Sequence, residues 1–511
     1  VRQANRLAAN LVVTLGRMVF TVWVGLLTTR LTYRLLGKDD YGLYAAVGAV
    51  VAMLPTLIDA LMIAGQRHLA WALGEKDREG AQRVFSTLFF VYLALVATLI
   101  PAAALLTPVV VRVLEIPAGR EGAATITYLF VLATTAAALL NTPFRAAIGA
   151  QQRFVWIAVL DVILKLLNLA FVVALFWVSG DRLIWFAGAT AALYWITLPL
   201  GPLVLWRIDR GFIPRPKQFD RTAIRALLSF AGWAALAAVG FQLRLQSIAI
   251  LLNIGYGTTV SAAFAIAIQA GMYVYQMPVA IATLIAPAIT GLLAQQRVAE
   301  AARLSLTASK LMTLLGLMLS VPICLDTDLL LRLWLGEVPP ITAPLVAILA
   351  LTMTAVLLTG GSALLIQGTG HLRGLTLAQL SGEAAAFAIA CAVVATTSVD
   401  ATVPPLIMLV GVMAWSWVAV PLLARSAGLP VINWIRAVVL RLVVITVLAT
   451  AAAWMVRVAM PDSAWRLAAV FASFAAASGV ALLVIGLTRP EREQVGKIVG
   501  SLLRYRPAAR R

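Results

Sequence analysis

The chain has 511 residues, of which 62% are hydrophobic and 12% charged, with mean hydropathy +0.96. That balance excludes a water-soluble domain and defines a polytopic membrane protein. The net charge of +19 does not point to nucleic acid, because its lysines and arginines are scattered among short connections instead of forming one surface.

Hydropathy predicts about 14 apolar spans, each near the 20 residues that a bilayer core requires. The first two lie at about 11–35 and 41–66, joined by the turn Gly37-Lys38-Asp39-Asp40. In the first, Thr14, Arg17, Thr21, Gly25, Thr28 and Thr32 share one helical stripe, which should face other helices or water, not lipid. The second carries Asp59 at a depth comparable to Arg17. Two readings stand for them: a structural ion pair, or a cavity cation whose position Asp59 sets. No cleavable signal segment is read at the start, since Arg2 and Arg6 precede a span too long and too polar-striped for one.

Four further spans, about 86–111, 124–147, 154–178 and 183–206, complete a first set of six. The fifth places Asp161, Lys165 and Asn168 on one face. Asp161 and Lys165 either neutralise each other along the helix or line a cavity. A basic connection with Arg207, Arg210, Arg215, Lys217, Arg221 and Arg225 follows.

The second set begins at about 226–253 and 259–292, then about 305–330, 341–367, 374–397 and 403–424. The seventh span sets Gln242, Gln246 and Asn253 on one face with small residues, a pattern that suits helix packing and also sugar hydroxyls. Arg244 falls on the opposite side and requires its own partner, or a cavity. The eighth presents Gln269, Tyr273 and Gln276 together, and its Pro278 and Pro287 predict a kink. In the eleventh, Glu383 is the deepest carboxylate of the second half, a candidate for coupling to protons or sodium. Two last spans, about 434–457 and 465–487, precede a basic tail whose Val495, Ile498, Val499 and Leu502 recur at helical spacing. That tail reads as an amphipathic helix on anionic lipid.

Most basic residues fall on one alternating set of connections, which predicts cytoplasmic N- and C-termini. A shift of 218 positions lays Leu36-Gly37 on Ile254-Gly255, Asp161 on Gln379 and Lys165 on Glu383. The expected fold is therefore all-α, with two parallel-repeat six-helix lobes around a central cavity and two extra C-terminal helices. The expected divisions are 1–208, 209–424, 425–488 and the tail 489–511. Cys324 and Cys391 sit in apolar runs, and His68 and His371 lie far apart, so neither a disulfide nor a metal site is expected. No connection has room for a catalytic domain, and no nucleotide-binding glycine loop is present, so no enzyme and no organic cofactor are expected.

The run Leu36-Gly37-Lys38-Asp39-Asp40-Tyr41-Gly42-Leu43-Tyr44 resembles the first outside turn of bacterial polysaccharide flippases. So does Gly74-Glu75-Lys76-Asp77 leading through Arg83 to Phe85-Ser86-Thr87. These are the O-antigen and exopolysaccharide lipid-linked oligosaccharide transporters of the multidrug/oligosaccharidyl-lipid/polysaccharide exporter superfamily. The resemblance implies an undecaprenyl-pyrophosphate-linked oligosaccharide turned across the bacterial inner membrane by alternating access. Its implied partners are a polysaccharide polymerase and chain-length machinery, and not nucleic acid. Where that family often has Arg-x-Asp, this chain reads Arg244-Leu245-Gln246. Arg17 and Lys165 would hold the pyrophosphate, with Arg244, Gln242, Gln246 and Gln269 as further cavity groups. Asp59, Asp161 and Glu383 are the coupling candidates. Two other classes remain open: a drug/cation antiporter of the same superfamily, whose cavity should be rich in carboxylates, and a membrane glycosyltransferase or polymerase using Asp39 and Asp40.

Overall fold

The computed structural model describes residues 2–75, 77–151, 153–221, 240–369, 372–426 and 430–486, together with Ile224 and Leu236. Side chains are described from Phe20 onward, except at scattered positions that include Asp59. All regular structure among these residues is helical. A lipid-facing backbone can satisfy its amides only within itself, so long apolar stretches become helices. Local polar residues set several starts. Asp77 accepts from Gly80 N, Asp181 from Leu183 N and Ile184 N, and the Ser463 hydroxyl from Arg466 N.

The first lobe comprises α1 (Arg2–Val51), α2 (Met53–Gly74), α3 (Arg78–Leu105), the short α4 (Thr107–Val113), α5 (Glu121–Ala150), α6 (Phe154–Ala174), α7 (Arg182–Thr197) and α8 (Leu200–Ile208). The second comprises α9 (Ile248–Ala294), α10 (Val298–Leu325), α11 (Thr327–Trp334), α12 (Thr342–Leu357), α13 (Gly360–Gly368), α14 (Leu372–Thr396), α15 (Val403–Ala414) and α16 (Val420–Ser426). α17 (Val431–Trp434), α18 (Leu440–Ala459) and α19 (Ala464–Ala481) form the last two passes. Among the described residues, eleven helical stretches are long and apolar enough to cross a membrane. Gly257 divides one of them into two passes, and the first two expected passes lie on α1 and α2. The protein is a multi-pass membrane protein whose outer faces carry exposed Trp177, Trp465 and Val458, apolar surface that lipid covers at no cost.

Each lobe opens with the same device. Gly37 (φ 77°, ψ 177°) and Gly257 (φ 80°, ψ −175°) bend otherwise continuous helices. This region of backbone space is essentially reserved for glycine. The repeat therefore pairs Gly37 with Gly257, not with the Gly255 that the 218-residue shift selects. The register returns to 218 by α6 and α14, which start at Phe154 and Leu372. The offset is 221 at the start of α5, and it falls to 218 across that 30-residue helix, which is matched by a 27-residue stretch, Thr342–Gly368, interrupted between α12 and α13.

The largest core joins the lobes at the Gly37 end, where Tyr33, Tyr41, Leu43 and Val47 pack with Leu252, Phe264, Ile266 and Met353. Here α1 and α9 meet backbone to backbone: a Cβ on Gly42 would lie 1.9 Å from the Thr258 carbonyl oxygen. The Asn253 side chain accepts from Glu115 N at 2.8 Å, the Trp334 indole donates to Leu26 O at 2.8 Å, and Thr259 Oγ1 lies 3.2 Å from Asp39 Oδ1. The connection after α8 docks back onto α3, where Phe212 packs on Phe85 and Ser86 and Thr87 accept from Arg215 N and Asp220 N. The last two passes lean on α10, with Ala449, Ala453, Val470 and Phe474 against Leu317, Met318 and Val321.

Candidate functional site

A cavity of about 290 Å³ lies between the lobes, lined by Val24, Gly25, Thr28, Thr29, Leu164, Lys165, Asn168, Thr190, Tyr194 and Gln269. Three faces singled out in the sequence converge here: the small-and-hydroxyl stripe of α1, the Lys165–Asn168 face of α6, and Gln269 of α9. Thr29 Oγ1 donates to Gln269 Oε1 at 2.7 Å, and Gln269 Nε2 donates to the Tyr273 hydroxyl at 2.7 Å. This chain ties the second lobe to the cavity wall and fixes the amide's orientation. Lys165 is exposed along the α6 face of the cavity, and among the described residues no carboxylate lines it. One ammonium among hydroxyls and amides can hold an anion whose neighbouring groups are also polar.

Asp161, one turn from Lys165, accepts from Arg145 Nη1 of α5 at 2.8 Å. Arg145 carried no signal beyond being a charge in the apolar stretch before the turn. Gln242 and Gln246 are half-buried and are not among the residues lining the cavity. The side chains of Arg17 and Asp59 lie outside the described residues, as do His371 and the tail 489–511.

For Arg244 the sequence left open a partner of its own or a place in the cavity; the structure supplies the partner. Arg244 is 2% exposed and paired inside the second lobe with Glu383, itself 1% exposed. Arg244 Nη2 and Nε approach Glu383 Oε1 at 2.5 and 2.7 Å, and the Trp415 indole donates to the same oxygen at 3.0 Å. The guanidinium lies 5.5 Å from the Phe241 ring centroid and 5.9 Å from that of Trp415. Among the described residues, Glu383 Oε2 and Arg244 Nη1 find no partner. Both Arg244 and Trp415 sit in single π-helical turns, Leu243–Ser247 and Trp415–Ala419. Such a turn admits an extra residue and rotates the side chains around it, a distortion that marks functional sites. A 3.6-residue wheel cannot anticipate that rotation, so Trp415 carried no sequence signal as a partner.

Lys310, mid-way along α10, was also missed, although it is a charge inside an apolar span. It is 2% exposed and donates to the Gly486 carbonyl at 3.3 Å, where Arg441 donates at 3.0 Å. Two cations thus share one backbone carbonyl acceptor.

At the Gly37 end, Arg120 bridges Asp40 at 2.7 Å and also pairs with Asp181. Burial pushes the Asp40 carboxyl above its ordinary range despite Arg120. Burial also acts upward on Asp181, but Arg120 and the N–H groups of Ile184 and Leu183 outweigh it and hold that carboxyl below the ordinary range. Asp39 and Asp40 are thus engaged in structural contacts. No group of three or more His, Cys, Asp or Glu residues suited to a metal occurs among the described residues.

No family model and no curated protein sequence matches the chain. Solved structures do. The lipid II flippase MurJ in an inward closed conformation matches with a TM-score of 0.69 at 10% identity, over 92% of this chain and 98% of that one. An inward-facing multidrug resistance MATE family transporter of the MOP superfamily matches with a TM-score of 0.68 at 16% identity, over 79% and 94%. An outward-facing MATE transporter of the same superfamily gives 0.61 at 16%, over 81% and 94%. The fold is that of the MATE transporters and of MurJ, as the sequence resemblance implied.

Proposed function

We propose that the chain is a transporter that flips an undecaprenyl-pyrophosphate-linked oligosaccharide across the bacterial inner membrane for cell-surface polysaccharide synthesis. The observation that carries this reading is the chemistry of the interlobe cavity: a lysine, hydroxyls and amides, with no carboxylate among the described residues that line it. A pyrophosphate linked to sugar requires that combination, whereas a drug/cation antiporter needs acidic groups in the cavity. The engagement of Asp39 and Asp40 in interhelical contacts removes the support for a glycosyltransferase or polymerase. Lys165 holds the phosphate, joined by Arg17 of the α1 stripe, and Gln269 with its neighbours meets the sugar. The termini face the cytoplasm, the basic tail rests on anionic lipid, and the polymerase and chain-length machinery take up the product on the far side. The Arg244–Glu383 pair, buried in the moving lobe with a free carboxylate oxygen, is the coupling element for protons or sodium.

Polymer export in a deletion strain carrying Lys165→Ala should fall at least about tenfold, a loss of roughly 1.4 kcal/mol of head-group binding, while Lys165→Arg retains it. Arg17→Ala should fall likewise. Full export by both alanine variants at normal expression would sink the reading.

A further inference from the structure

A second polar pocket, about 510 Å³, lies at the Gly37 end, between the second lobe and the last two passes. It is built where α10 gives way to α11 and where α18 turns into α19. Asp326, Asp328, Arg332, Trp454, Arg457, Asp462 and Arg466 supply its chemistry. Asp326 is 3% exposed and Arg466 9%. Asp326 Oδ1 accepts from Arg466 Nη2 at 2.9 Å and from Arg457 Nε at 3.1 Å, while Asp462 takes Arg332 at 2.9 Å and Arg466.

Two features go beyond a latch holding the last helices in place. Asp326 Oδ2 and Arg466 Nε are buried without a partner among the described residues, one an acceptor and the other a donor. Leaving such groups bare is costly, so a polar occupant is favoured. The charges also balance, three aspartates against three arginines, so a net-charged ligand gains little from the pocket as a whole. Trp454 keeps 49% of its surface exposed, with the Arg457 guanidinium 4.8 Å from its ring centroid.

Carboxylate acceptors and guanidinium donors beside an indole are what vicinal hydroxyls on an apolar sugar face require. We propose that this pocket is a carbohydrate subsite for an uncharged stretch of oligosaccharide on the side of the membrane to which the glycan is delivered. Its volume is within the range of small-molecule sites, roughly 300–1,000 Å³. The assignment of the bound sugar as transported glycan rests on the function proposed above; the binding chemistry does not.

The test uses the full chain in lipid nanodiscs free of maltoside detergent, with saturation-transfer NMR on two trisaccharides, cellotriose and chitotriose. At least one should bind saturably. Trp454→Ala, which leaves every ion pair intact, and Asp326→Asn should each weaken its affinity by about fivefold or more. No saturable binding of either sugar, unchanged binding in Trp454→Ala, or displacement by sodium pyrophosphate would overturn the proposal. Export plays no part in this readout. Full export by both Lys165→Ala and Arg17→Ala would therefore remove the transport reading and leave this one standing.

Discussion

At the scale of residues, the informative positions are charges removed from water. Arg244 and Glu383 lie 139 positions apart, each 2% exposed or less. Removing one partner of a buried pair strands the other charge and costs about 3–5 kcal/mol, whereas an apolar replacement of both is far less harmful. Glu383→Ala should accordingly lower thermal stability by that amount in detergent, and Arg244→Met with Glu383→Leu should recover most of the loss. The double variant also separates structure from coupling. If it is stable and still exports polymer at the wild-type rate and ion dependence, the pair is a packing element and not the coupling site. Lys165 presents the opposite case, a cation exposed along a polar cavity face. The sequence singled out all three side chains as charges at depth, but not which of them would meet.

At the scale of elements, the corners at Gly37 and Gly257 organise the two lobes. Neither glycine is crowded at short range: nothing lies within 4 Å of a Cβ on Gly37, and only Glu115 Cγ at 3.9 Å on Gly257. Their requirement is therefore conformational, and alanine at either position should cost about 1–3 kcal/mol. Gly48 provides the contrast, since it lies in ordinary helix with open space around it. Gly48→Ala should be neutral or stabilising by up to about 1 kcal/mol. Equal effects of Gly37→Ala and Gly48→Ala on the denaturation midpoint would remove the corner from the account. The first corner was legible in the turn Gly37-Lys38-Asp39-Asp40. The second was misplaced by two residues, because Gly255 and Gly257 are indistinguishable in composition and only the backbone angles tell them apart.

At the scale of the whole molecule, the lobes are joined at the Gly37 end by a shared core and by the close approach of Gly42 to Thr258. The alternating access proposed above requires this seam to part. A side chain at Gly42 meets backbone, which cannot yield, so Gly42→Val should separate α1 from α9. With cysteines at Asp39 and Thr259, whose side chains lie within hydrogen-bond reach, oxidative cross-linking should drop about threefold or more in the Gly42→Val background as the population shifts. Unchanged cross-linking would show that the seam tolerates the side chain and does not act as the closed gate.

The amino-acid sequence by itself determined the membrane class, the passes, the first turn, the polar stripe of the first helix and the side chains worth attention. Those properties follow from length, hydropathy and helical period, which act along one helix at a time. Only the tertiary structure decided which faces meet. It placed Lys165 and Gln269 on one cavity, turned Arg244 inward to Glu383 and Trp415, and built a second polar pocket where α10 approaches the last two passes. The physical reason is that lipid and protein interior are equally apolar, so hydropathy does not orient a membrane helix about its axis. A π-helical turn adds a rotation that no fixed period predicts, and packing against neighbouring helices settles the rest.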